Sequence, residues 1–333
     1  LVTRRFDPAV SNHAVALAQR GAVADAFALL NRASAAGDAL AAATLAEWRL
    51  TGHPIRRDLA EARRLYGVAA DLGLADAQSI HIALLANGAG GSGRRWPEAL
   101  TRLGQLARRD ALARNQFTLL KAMALDAEGE PLDLPLSEQV NSAPRIARFA
   151  GVLSPAECRY LVNRALPQLQ PAVVIHPQSG QPMRDPVRVA STASFPFVDE
   201  DPVIHAINRR IAALTGTTYE QGEPLQVLCY TPGEEYKLHS DALPPGQNQR
   251  VATFLAWLTT DFADGETEFP RIGLRYRGGL GDGLHFMNVL KDGRPDPDAW
   301  HAGLPVTRGR KLLLSKWIRE RPLDLSGPPG RPF

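Results

Sequence analysis

The sequence predicts a multidomain α and β protein, with helical repeats at the N-terminus and an antiparallel β-sandwich or barrel behind them. Three observations predict it. Small residues recur on a helical period over residues 12–125. From about residue 171 the pattern becomes short strand-like runs separated by Gly- and Pro-containing turns. Between the two, DAEGEPLDLPLSEQVNS (126–142) loses the helical period and carries acid, proline and serine, the composition of a linker.

In the first part, AVALAQRGAVADAFALLNRA, AAATLAEWRLTG, DLAEARRLYGVAADLG and PEALTRLGQLARR read as short helices. Gly37, Gly52, Pro54, Gly73 and the GAGGSG run break them into helix-turn-helix pairs. Gly37, Ala39, Ala41 and Gly52 recur 36 residues later as Gly73, Ala75, Ala77 and Gly88, with a weaker third copy at Arg109, Ala111 and Ala113. A period of this size points to an α/α solenoid, in which small residues let paired helices approach closely. The series resembles Sel1-like repeats, which are related to tetratricopeptide repeats. That resemblance implies contact with proteins or peptides.

After the linker, SPAECRYLVNRAL reads as a helix capped by Ser154 with Glu157 three residues on. A second helix is expected over DPVIHAINRRIAALTG. The strand-like runs are PAVVIH, VRVAST, LQVLCY, YKLHSD, VATFLAWL, LHFMNV and KLLLSKWI. The expected divisions are a repeat domain over 1–130, a linker over 131–142, a β-rich domain over 143–323 and a flexible tail over 324–333.

Composition narrows the function classes. With 38 Lys plus Arg against 35 Asp plus Glu, the formal charge is only +3, so neither nucleic acid nor a membrane surface is an expected partner. No run approaches the 18 apolar residues of a membrane span. Two cysteines make neither a disulfide framework nor a cysteine metal site. The expected location is the cytoplasm; a processed secretory or periplasmic origin stays open because the chain begins at Leu1.

The informative chemistry lies in YTPGEEYKLHSDAL. Residues two apart on a strand share a face, so His239 and Asp241 can offer an imidazole and a carboxylate to one ion. His301, in DAWHAGLPV, is the candidate third ligand. Two histidines and a carboxylate with open positions suit non-haem Fe(II). On spacing alone, a polar pair at a strand end beside a separate core histidine is the competing reading.

Three stretches in order, LQVLCYTPGEEYKLHSD, QRVATFLAWLTTDFADGETEFP and GLHFMNVLKDGRPDPDAWHAGLPVTRGRKLLLSKWIRERP, resemble the prolyl 4-hydroxylase group of Fe(II)- and 2-oxoglutarate-dependent oxygenases. Weaker resemblance extends upstream through FAGVLSPAECRYLV. The resemblance implies a double-stranded β-helix (jelly roll) with supporting helices, and an iron site of His239, Asp241 and His301. It implies that Lys311 and Tyr230 hold the distal carboxylate of 2-oxoglutarate and that Thr253 lines the co-substrate pocket. Tyr236, Arg250 and Trp317 match residues near the substrate groove. Asp264 stands where the family has the first glycine of a GGET turn, and Leu312 where an aromatic is frequent. His285 is expected in the core rather than as a fourth ligand, and Asn288 and Asp298 as residues that orient loops near His301.

The implied activity is hydroxylation of prolyl residues in a peptide or protein, using Fe(II), 2-oxoglutarate and O2, releasing succinate and carbon dioxide, with ascorbate keeping the iron reduced. Two other functions compete: a hydroxylase of a free amino acid or other small molecule with the repeats as scaffold, and a 2-oxoglutarate-sensing adaptor without turnover.

Overall fold

A computed structural model describes residues 8–175, 182–184 and 187–324; nearly all of the expected tail lies outside them. The described residues separate into two compact units, one of residues 8–132 and 196–207, the other of 133–175, 182–184, 187–195 and 208–324.

The first unit holds seven consecutive helices: α1 (Pro8–Gln19), α2 (Val23–Ala35), α3 (Ala39–Thr51), α4 (Leu59–Asp71), α5 (Ala75–Asn87), α6 (Trp96–Leu106) and α7 (Ala111–Ala122). The 36-residue period is a period of helix starts, because α3, α5 and α7 begin at Ala39, Ala75 and Ala111. The Asp38 carboxylate caps α3 by accepting from the Leu40 and Ala41 amides at 2.9 and 3.1 Å. Gly52 and Gly88 end α3 and α5 in the left-handed conformation (φ 76° and 87°), which a side chain would strain. Fully buried alanines such as Ala41, Ala42, Ala46, Ala62 and Ala69 form much of the core, so neighbouring helices pack at short range.

The second unit carries α8 (Pro155–Ala165), the C-terminal part of α9 (Pro202–Thr215) and the strands. In chain order these are β1 (Ser137–Ser142), β2 (Arg145–Phe149), β3 (Gln170–Pro171), β4 (Val173–Ile175), β5 (Pro182–Arg184), β6 (Arg188–Val189), β7 (Ser191–Phe195), β8 (Leu225–Tyr230) and β9 (Glu235–His239). They continue as β10 (Arg250–Trp257), β11 (Phe262–Asp264), β12 (Thr267–Phe269), β13 (Leu274–Tyr276), β14 (Gly283–Met287), β15 (His301–Gly303), β16 (Val306–Gly309) and β17 (Lys311–Arg319). The expected capping box opens α8: Ser154 Oγ accepts from the Glu157 amide, and a Glu157 carboxylate oxygen accepts from the Ser154 amide.

The expected jelly roll is corrected by the strand order. The larger sheet runs β1-β2-β14-β10-β17-β8-β7-β3 and the smaller β13-β12-β15-β9-β6, with two separate pairs, β11-β16 and β4-β5. Among the described residues each sheet has two unpaired edges, and neither closes into a barrel. Closure requires hydrogen bonds between edge strands, and β1 and β3 at the edges of one sheet, and β13 and β6 at those of the other, do not make them. Residues 137–142, read as linker, form β1 and pair with β2.

Candidate metal centre and the cavity beside it

Period-two alternation in the larger sheet puts one set of side chains on one face. Lys311 pairs with Tyr230, and Thr253 lies opposite Trp317 on one side and Phe286 on the other. Leu228, Leu255, Leu313 and Ser315 share that face and line the same cavity. His239 and His301 come from the smaller sheet, where β9 and β15 pair them directly. Asp241 follows two residues beyond β9.

Here His239, Asp241 and His301 meet. One nitrogen or oxygen from each lies within 4.8 Å of the others, and all three residues are buried. The two Nε2 atoms stand 3.6 Å from opposite oxygens of the Asp241 carboxylate. His239 Nδ1 is 2.7 Å from the Lys237 carbonyl and His301 Nδ1 3.0 Å from that of Ala299. Each carbonyl can only accept, so Nδ1 carries the proton and Nε2 keeps its lone pair toward the carboxylate. Tyr236 stacks on His239 with ring centroids 3.5 Å apart, while Phe286 and Phe269 flank His301 at 4.7 and 5.5 Å.

The electrostatics fit a cation. Burial alone would push the Asp241 carboxyl up, but its contact with both imidazoles and the hydroxyl donated by Thr253 hold it well below the usual carboxylate range. Burial pushes the His301 imidazole down to about 4 against the pull of Asp241, so it is neutral at pH 7. A carboxylate and imidazole lone pairs converging in a buried site are the donor set that Fe(II) accepts while leaving positions open. Thr253 Oγ1 donates to Asp241 at 2.6 Å and accepts from Asn288 Nδ2 at 3.0 Å, which fixes the carboxylate from behind.

Lys311 is 2 % exposed at the cavity wall, its Nζ donating to the Gly265 carbonyl at 2.7 Å and lying 5.2 Å from the Tyr230 ring. Burial pushes its ammonium down to about 8, and burial pushes the Tyr230 phenol up. Tyr236 and Trp317 also line the cavity, but Arg250 does not. Its guanidinium grips Glu223 at 2.6 and 3.0 Å and lies 3.7 Å over the Trp317 ring, so it stands behind the wall. His285 pairs with Phe254, on the opposite face from Phe286, and is not among the converging ligands. Sequence reasoning missed Glu223, Leu228, Leu313 and Ser315. The alternation of KLLLSKWI around Lys311 carries the signal for the last two, whereas Glu223 has no such signal.

The family described as the 2OG-Fe(II) oxygenase superfamily matches residues 225–319. "Prolyl 4-hydroxylase 1" of Arabidopsis thaliana is 36% identical over 203 residues, 55% of this chain and 72% of that protein. "Prolyl 4-hydroxylase subunit alpha-1" of Rattus norvegicus is 33% identical over 194 residues, 56% of this chain and 36% of the rat protein. Among solved structures, the viral collagen prolyl hydroxylase of Paramecium Bursaria Chlorella virus-1 shares 26% identity, with a TM-score of 0.42 over 52% of this chain and 95% of that one.

Proposed function

The chain belongs to the prolyl 4-hydroxylase-like 2OG-Fe(II) oxygenases, as an Fe(II)- and 2-oxoglutarate-dependent hydroxylase, and we propose that it acts on prolyl residues of a peptide or protein. The convergence of His239, Asp241 and His301 carries this reading. Those three residues would hold the iron, which supplies the oxidation together with 2-oxoglutarate and O2. Lys311 and Tyr230 would bind the far carboxylate of 2-oxoglutarate, since a buried carboxylate needs a cation and directed donors in place of water. Lysine suits the task as a compact ammonium with three rotatable donors. Leu228, Leu255 and Leu313 exclude water around it. Tyr236 and Trp317 would position the substrate, with Arg250 acting through the Trp317 ring. Proline is supported by the names of the related proteins.

The unit boundary between residues 132 and 133 supports a helical domain followed by a β-rich one, and the 36-residue recurrence of helix starts supports the Sel1-like reading. Among the described residues no helix is long and apolar enough to cross a membrane.

The test measures succinate from the purified chain with Fe(II), ascorbate and 2-oxoglutarate, with and without proline-containing peptides. Peptide-stimulated succinate and a product heavier by one oxygen atom are expected. Stimulation by free amino acids alone overturns the peptide substrate.

A further inference from the structure

The first unit holds a second cavity of about 270 Å³, walled by α4, α5 and α6. Its polar lining is Asp71, Gln78, His81, Arg102, Gln105 and Arg109, and Ile82 and Leu106 contribute apolar surface. None of these belongs to the iron site.

His81 is the unusual member. It is 7 % exposed, and its Nδ1 is buried without a hydrogen-bond partner. Leaving such an atom unpaired costs about 1–3 kcal/mol. The site is tight around the ring: Gly67 of α4 faces it, and a Cβ there would sit 3.1 Å from the imidazole. Burial, reinforced by the Arg102 and Arg63 charges, pushes this imidazole down to about 4, so at pH 7 it is neutral and can present an N–H to an acceptor.

The rim has spare donors of the matching kind. Arg102 is engaged by two carboxylates, Asp71 at 2.7 Å and Glu98 at 3.2 Å, while Arg109 Nη2 donates to the Gln78 amide oxygen at 2.8 Å. Arg102 is thus matched by carboxylates, and Arg109, which meets a neutral amide at Gln78, is the guanidinium open to an added one. Planar guanidinia bind carboxylates through paired hydrogen bonds. A dianionic phosphate would gain less here, because Asp71 shares the cavity.

We propose that this cavity binds a single carboxylate, held at the rim by Arg109 and accepting a hydrogen bond from His81, with its carbon chain against Ile82 and Leu106. The carboxylate comes from a small free acid or from a glutamate side chain of a peptide. This site is independent of the iron reading.

Calorimetric titration of the full chain uses two probes, N-acetyl-L-glutamate α-amide and a peptide with one internal glutamate. Neither probe is a 2-oxo acid. One-to-one saturable binding of at least one is expected, weakened about tenfold or more by Arg109→Gln and by His81→Asn. The His81 ring ¹⁵N resonance should move on saturation in the unmodified chain. Binding by both probes assigns a free acid as sufficient; binding by the peptide alone assigns a peptide ligand. Arg109 is exposed, so Arg109→Gln tests the site without threatening the fold. No saturable heat with either probe, or binding indifferent to Arg109→Gln, overturns the proposal.

Discussion

Replacing Lys311 by methionine should make the ligand-free protein more stable at pH 7 and far worse at using 2-oxoglutarate. Burial takes the ammonium from its ordinary 10.5 down to about 8, which corresponds to roughly 3 kcal/mol of lost preference for the charged form. Methionine removes that penalty but leaves the Gly265 carbonyl without its donor, a cost of about 1–2 kcal/mol. The expected net gain is therefore about 1–2 kcal/mol at pH 7. Its pH dependence is distinctive. Between pH 8 and 10.5 the unfolded chain holds the Lys311 proton more tightly than the folded one, so stability of the unmodified protein rises with pH across that window. The thioether of Lys311→Met cannot titrate, so the variant lacks the rise and its advantage disappears by pH 10.5. Denaturant unfolding of both proteins without 2-oxoglutarate, from about pH 7 to 10.5, measures this. In turnover, the variant should show a KM for 2-oxoglutarate raised on the order of a hundredfold. Lower stability of the variant at pH 7 together with an unchanged slope would refute the argument that a desolvated charge is held in reserve there. An unchanged KM would move the carboxylate contact elsewhere.

Thr253→Val removes the hydroxyl that donates to Asp241 and strands the Asn288 amide, so metal affinity should fall roughly 10–100-fold while Thr253→Ser retains it; titration with Mn(II) reads this without turnover. His285 stays neutral in the folded chain down to about 4 but charges near 6.5 when unfolded, so it costs stability as pH falls through that window, up to about 1.4 kcal/mol per pH unit. His285→Leu should remove that share of the slope, and acid unfolding curves that superimpose would contradict it. Glu223→Gln leaves the Arg250 and Arg319 guanidinia without their shared carboxylate and should destabilise the fold by about 3–5 kcal/mol, as read by urea midpoints.

The site was legible from strand period at Lys311, which leads an alternating strand whose odd-numbered residues face one cavity, whereas Asp241, two residues after His239, lies beyond the end of β9. LQVLCY, VATFLAWL and KLLLSKWI were legible as β8, β10 and β17 because buried strands read as apolar runs. β1 was not, since SEQVNS is an exposed polar edge whose cross-strand support is the Glu138–Arg148 ion pair. The jelly roll failed for a related reason: closing a sheet depends on which edges hydrogen-bond, and residue alternation along a strand is the same whether its outer neighbour is present or not.

What sequence could not show at all is how the ligands are held. The groups that fix both imidazoles are backbone carbonyls, of Lys237 and Ala299, and any residue type supplies one. Their placement comes instead from fold: each lies two residues before its histidine, at the point where β9 and β15 set His239 against His301. The carboxylate differs, because Asp241 lies beyond the strand and needs a side-chain support, Thr253, from the other sheet. The carboxylate is therefore tied to the larger sheet by a hydrogen bond of 2.6 Å, while His301 meets that sheet through the Phe286 ring. Displacing one sheet relative to the other would loosen the carboxylate before either histidine, which makes Asp241 the ligand most sensitive to changes in how the sheets pack.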